Sequence, residues 1–250
     1  MDDLSERFEE RLGEIIAYLD LISGIERLVR SGVPRLGDDG PPITTQQQRI
    51  LNSGVYLQLY NLVEATVTNC LDAVSKAAMR RDGWTPGDLT LELRREWIRH
   101  LARTHVSMGP DKRLEEAIIL CDHLIAALPV PEFEIEKGGG GNWDDAAIKK
   151  MALRIGFELR VSRRVEQGVK RKIRNDLGAM ALIVNLRNGL AHGRLSFVEC
   201  GQDDSVAELR ALTERVAAYL REVVEAFISF IREYRYIRPE RRPQEHGIGV

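Results

Sequence analysis

SVAELRALTERVAAYLREVVEAFISFI, residues 205–231, decides the fold. Leu209, Leu212, Val216, Leu220, Val223, Phe227, Phe230 and Ile231 recur at steps of three and four, the repeat that gathers apolar side chains on one stripe of an α-helix. Ser205 followed by Glu208 forms a capping box, so this helix has a defined start. Beyond Tyr236, Pro239 and Pro243 cannot continue it, and 237–250 reads as a flexible tail.

The same period runs outward from this stretch. Leu4, Phe8, Leu12, Ile15, Leu19 and Ile22 mark an N-terminal helix within 1–31, a core element or a partner-docking one, stopped by Gly32 and Pro34. Thr44 with Gln47 is a second capping box, opening a helix expected over 45–82 and closed by Gly83. Thr85-Pro86 and Gly109-Pro110 start helices expected over 89–105 and 111–128, and Pro129 and Pro131 end the second. A short helix over 144–154 closes at Gly156, and one long helix is expected over 166–191. Phe133-Glu134-Ile135-Glu136-Lys137 alternates apolar and charged residues, the pattern of a short strand. The fold class is therefore all-α, with at most a short β element near 132–142.

Composition narrows function by exclusion. With 36 basic against 38 acidic side chains the formal charge is -2, so the chain is not a wholly basic nucleic-acid binder and any basic patch is local. Cys70, Cys121 and Cys200 are 51 and 79 residues apart, which excludes a zinc knuckle and a C-x-x-C redox site built from adjacent ligands; reduced thiols are expected. No metal and no cofactor is expected. The acidic opening Met1-Asp2-Asp3 lacks the basic and apolar regions of a signal peptide, and no long uncharged apolar run occurs, so a cytoplasmic protein without a membrane span is expected. Gly138 to Gly141 is followed by neither Gly-Lys-Ser nor Gly-Lys-Thr, so it reads as a flexible loop rather than a phosphate cradle.

Chemistry concentrates in Arg187-Asn188-Gly189-Leu190-Ala191-His192-Gly193. Asn188 and His192 are i and i+4 neighbours on one helix face, Arg187 flanks them, and Gly193 suits the left-handed position that ends a helix. A histidine exchanges protons near neutral pH, an arginine fork holds phosphate oxygens and an asparagine orients either group, which are the parts of an RNA-cleaving site. Spacing alone does not single this segment out. Arg95 with His100, Arg99 with His105 and Arg241 with His246 have similar spacing.

The company of the motif does. The Arg187 to Gly193 segment followed by Ser196-Phe197 resembles the signature of the HEPN superfamily: arginine, a polar residue, then histidine after four to six intervening positions. Tyr60-Asn61-Leu62-Val63-Glu64-Ala65, then Gly141-Asn142-Trp143-Asp144, then Ile155-Gly156-Phe157 and the arginine-histidine segment resemble the MAE-type branch in their order, over residues 45–236. The resemblance implies a HEPN-like bundle of long antiparallel helices in a single domain over 1–250, with a helical insertion over 84–165 between core helices, that forms a homodimer with two arginine-histidine segments facing one composite cleft. It implies a metal-independent endoribonuclease in which Arg187, Asn188 and His192 are catalytic: His192 as general base or acid around 2′-hydroxyl attack, Arg187 stabilising charge, and Asn188 orienting His192 or binding phosphate. Arg163, Arg164, Lys170, Arg171, Lys172, Arg174 and Arg194 are the candidate RNA-binding cations, the first six in a basic run preceding the motif. Alternatively that run is a solvated helix face.

Tyr60, Asn61 and Glu64 either border the cleft or satisfy partners inside the bundle. Family toxins silenced by nucleotide transfer carry tyrosine two residues after the histidine, where this chain has Arg194. If the chain is toxic, restraint by an antitoxin or another defence-system partner, a ligand or the fold itself is expected in place of that device. A toxin, abortive-infection or antiviral defence role is the setting the family implies. The alternative is a non-catalytic HEPN module that dimerises and binds RNA, nucleotide or a partner subunit; a purely structural adaptor would do neither.

Overall fold

A computed structural model describes residues 2–35, 37, 39–79, 83–103, 109–137 and 142–243. Among these it has nine α-helices and no strand: α1 Asp2–Ser31, α2 Thr45–Ala78, α3 Leu91–Arg103, α4 Pro110–Ile125, α5 Asp145–Ile155, α6 Arg163–Lys170, α7 Ala179–Ala191, α8 Phe197–Cys200 and α9 Val206–Arg232. Both capping boxes read from the sequence form. The Thr44 N–H donates to Gln47 Oε1 at 2.8 Å, and the Ser205 N–H donates to Glu208 Oε2 at 2.9 Å. No helix among the described residues is long and apolar enough to cross a membrane.

The chain divides into two compact units. The first comprises Met1–Thr66, Asn142–Asp145 and Val161–Val224; the second comprises Val67–Gly141, Ala146–Arg160 and Glu225–Val250. Most of the expected insertion, 84–165, thus falls in the second unit, together with the C-terminal parts of α2 and α9.

In the first unit the α1 stripe from Leu4 to Ile22 is buried along its whole length, as are Leu209, Leu212, Val216, Leu220 and Val223 of α9, so α1 is a core helix. Tyr18 Oη donates to the Leu51 carbonyl at 2.7 Å, tying α1 to α2. The turn after α8 approaches α2 so closely that a Cβ on Gly201 would lie 2.0 Å from the Arg49 carbonyl oxygen, and only glycine fits. Ser162 caps α6 and also anchors it, its hydroxyl donating to Glu222 Oε1 at 2.7 Å.

In the second unit Phe157 stacks on Phe230 with centroids 4.6 Å apart and meets Phe227 edge-on at 5.0 Å. Trp97 is fully buried beside His123. Glu96, 1 % exposed, holds Arg154 at 2.9 Å and also pairs with Arg99. α4 buries no residue; Leu114, Ile118 and Ile125 are exposed along it.

Three expectations are corrected. The helix expected over 166–191 is two helices, because Arg174 to Leu177 is a tight turn: Asn175 and Asp176 both take the left-handed conformation (φ 52° and 60°), and the Leu177 N–H donates to the Arg174 carbonyl at 2.9 Å. Asn and Asp are the side-chain-bearing residues that best tolerate this geometry, which twin positive φ values make a hairpin-type turn. Residues 133–137 form no strand: Phe133 and Ile135 are buried and Glu134 is exposed, so the alternation belongs to an extended segment with no partner strand among the described residues. The start of the tail is docked, since Ile237 is buried and pairs with Leu89, the Arg238 N–H donates to the Asp88 carbonyl at 2.9 Å and Arg241 Nε lies 3.3 Å from Asp88 Oδ1. Gly138 to Gly141, the remainder of the expected tail from 244, the expected helix end at 80–82, His105 and His246 lie outside the described residues.

Candidate functional site

The arginine-histidine segment is the C-terminal end of α7, and its backbone explains its shape. His192 is the C-cap, Gly193 follows at φ +66°, the Gly193 N–H donates to the Leu190 carbonyl at 3.2 Å and the Arg194 N–H to the Gly189 carbonyl at 2.9 Å. These are the two bonds of a Schellman motif, which satisfies the last carbonyls and stops the helix at His192. Gly189 permits the chain to fold back, because Leu195 packs where a Cβ would sit, 3.3 Å away. His192 is exposed on this end, whereas His100 accepts the Glu134 N–H and His123 lies against Trp97.

Arg187 is held from two sides. Its guanidinium lies over the Tyr60 ring of α2, 4.3 Å from the centroid, and its Nη1 donates to Asn188 Oδ1 at 2.9 Å. Asn188 Nδ2 in turn donates to Oδ1 of Asn142, at 2.8 Å, from the loop preceding α5. Trp143, buried beside Asn142 in sequence, seats that loop. Tyr60 is 1 % exposed and its hydroxyl has no hydrogen-bond partner among the described residues, so its role here is its face. Burial pushes the Tyr60 phenol above its ordinary pKa, the Arg187 charge draws it down and Glu64 raises it further. Asn61 is exposed and Glu64 half-buried, so the three α2 residues do not share one environment.

The basic run is not a single track. Arg163 and Arg164 are exposed on α6, Arg171 follows it, and Arg194 is exposed just past His192. Lys170 pairs with Glu166 and Lys172 with Asp176, each at 3.0 Å and exposed, contacts that screening leaves weak. Lys170 backs onto Gly178 at the start of α7, so it stands about 18 Å along the helix axis from the motif. Arg174, expected among the RNA-binding cations, is instead turned into the first unit. It lies 3.6 Å from the Asp204 carboxylate and 5.8 Å from the Tyr56 ring centroid. Burial holds the Asp204 carboxyl above the usual carboxylate range, against the pull of the Tyr56 hydrogen bond and Arg174.

Asn142 was visible in the sequence only as part of a motif. Its partner Asn188 lies 46 residues away, and no local periodicity connects them. Among the described residues no three His, Cys, Asp or Glu side chains gather as a metal would require. What the site offers chemically is one exposed imidazole and, five residues earlier on the same helix, one oriented guanidinium: a proton carrier and an anion binder.

The family model of the MAE-like HEPN proteins matches residues 1–236. No curated protein and no solved structure matches the chain. With that match over nearly the whole sequence and an all-helical fold beneath it, the chain belongs to the MAE-like HEPN family.

Proposed function

We propose that the chain is a metal-independent endoribonuclease whose active form is a homodimer. The observation that carries the reading is His192, exposed at the end of α7, with Arg187 five residues earlier on the same helix already oriented by Tyr60 and Asn188. HEPN domains are commonly ribonucleases, and these side chains suit that chemistry. One His192 takes the ribose 2′-hydroxyl proton as the oxygen attacks the adjacent phosphorus; the P–O5′ bond breaks, and the departing oxygen takes a proton from the second copy's imidazole. The products are a 2′,3′-cyclic phosphate and a 5′-hydroxyl. Each copy supplies one such imidazole, which is why acid and base together call for two copies. Arg187 neutralises charge on the non-bridging oxygens, and Asn188 keeps the guanidinium aimed.

Arg163, Arg164, Lys170, Arg171, Lys172 and Arg194 would attract the RNA backbone without reading its sequence. Control would come from a partner protein in a toxin or antiviral defence system. The test is cleavage of a defined RNA in excess chelator beside the same strand carrying one 2′-deoxy nucleotide at the cut site, with product ends identified by mass. Cyclic phosphate ends on the RNA and a resistant deoxy strand support the reading. Tight RNA binding without cleavage would favour a binding module instead.

A further inference from the structure

We infer that Asn142 is a positioning residue for the reaction: through Asn188 it fixes the orientation of the Arg187 guanidinium. The inference rests on the ribonuclease reading and adds a residue from outside the arginine-histidine segment. The direction of the chain of hydrogen bonds follows from chemistry. A guanidinium only donates, so Asn188 must turn its oxygen toward Arg187 Nη1; its amide nitrogen then faces Asn142, which must present its own oxygen. Arg187, Asn188 and Asn142 are thus linked in a single order, with donor–acceptor distances of 2.9 and 2.8 Å.

Without an acceptor at 142, the Asn188 amide is free to turn over or swing out. Its oxygen then leaves Arg187 Nη1 for part of the time, and the guanidinium loses that acceptor. Tyr60 would still hold the plane of the guanidinium, because stacking constrains tilt, but rotation within that plane would lose its stop. The fork would sample orientations in which only one N–H meets a phosphate oxygen. Binding of RNA, carried by charge, would change little, while the transition-state contact would weaken.

Because Asn142 acts as an acceptor, its amide nitrogen is dispensable. Asn142→Asp keeps the acceptor and Asn142→Ala removes it. The experiment compares both with wild type in steady-state RNA cleavage and in the side-chain Nε–H resonance of Arg187 by NMR, which the Tyr60 ring current displaces. Melting curves serve to check folding. The expected result is that Asn142→Ala lowers kcat about tenfold with KM within about twofold, the loss of one hydrogen bond's orientation, and moves the Arg187 resonance toward that of a mobile arginine. Asn142→Asp restores both. Unchanged kcat and an unchanged Arg187 resonance in Asn142→Ala would overturn the inference, as would an Asp variant no better than Ala. If wild type cleaves nothing while the Arg187 resonance still answers to position 142, the ribonuclease reading fails and the positioning of Arg187 stands.

Discussion

Arg187→Lys separates charge from geometry. Lysine retains the positive charge but has neither a planar face for Tyr60 nor a fork for Asn188. The wild-type guanidinium sits 4.3 Å from the Tyr60 centroid and 2.9 Å from Asn188 Oδ1, and both contacts orient it before substrate arrives. A half-buried cation over an aromatic face is worth about 1 kcal/mol, and a hydrogen bond from a charged donor in a partly exposed place contributes about 1 to 2 kcal/mol. Together they amount to about 2 to 3 kcal/mol, or about 30- to 150-fold in kcat/KM if all of it serves the transition state. Single-turnover cleavage of a short RNA at saturating enzyme measures the chemical step, and filter binding at matched salt measures affinity. The expected pattern is a loss in the chemical step with affinity within about threefold, since the charge that attracts the backbone is kept. A lysine variant that cleaves within threefold of wild type would refute the reasoning, because charge alone would then suffice and the Tyr60 platform would be irrelevant to rate.

Other consequences concern the framework. Burial pushes the Cys70 thiol up to about 12 and the Cys200 thiol up to about 11, while Cys121 is exposed. Thiolate is the reactive form, so at pH 8 a thiol reagent should label one cysteine rapidly in the native protein and three after denaturation; fast labelling of two or three natively would contradict the packing. Glu96→Gln takes the charge from a carboxylate enclosed by Arg99 and Arg154. Because both arginines still reach solvent, the expected loss is about 1 to 3 kcal/mol, below the full cost of breaking a buried pair, read as a lower midpoint in urea. Gly201→Ala should destabilise by about 1 to 3 kcal/mol through its clash with the Arg49 carbonyl, whereas Gly13→Ala, with open space around it on α1, should stabilise by about 0.5 to 1 kcal/mol; equal melting temperatures would sink the close-approach argument.

Much of the fold was legible because its signals are local. The Ser205 and Thr44 capping boxes, the α1 and α9 stripes and the glycine after His192 each act within a few residues, so sequence spacing and structure coincide. The break between α6 and α7 was also local, yet the apolar period running across it hid the Asn175-Asp176 turn, whose chemistry outweighs periodicity. The alternation at Phe133 and Ile135 reported burial correctly and pairing incorrectly, because a strand needs a partner that the period cannot name. At the candidate site the sequence identified side chains on one helix end, but not what holds them. Tyr60 and Asn142 reach Arg187 and Asn188 from α2 and the loop before α5, contacts that only folding brings together. For the same reason Arg174 is indistinguishable in sequence from its basic neighbours, and only folding brings Asp204 beside it.

Cleavage of RNA by purified wild type and His192→Ala, side by side in excess chelator with product ends analysed, tests the central claim most directly. The account predicts cyclic phosphate ends from wild type and a rate at least about 100-fold lower from the variant, the usual scale for removing a general acid-base group. Equal cleavage by both proteins, or none by wild type even when its partner or trigger is supplied, would contradict it.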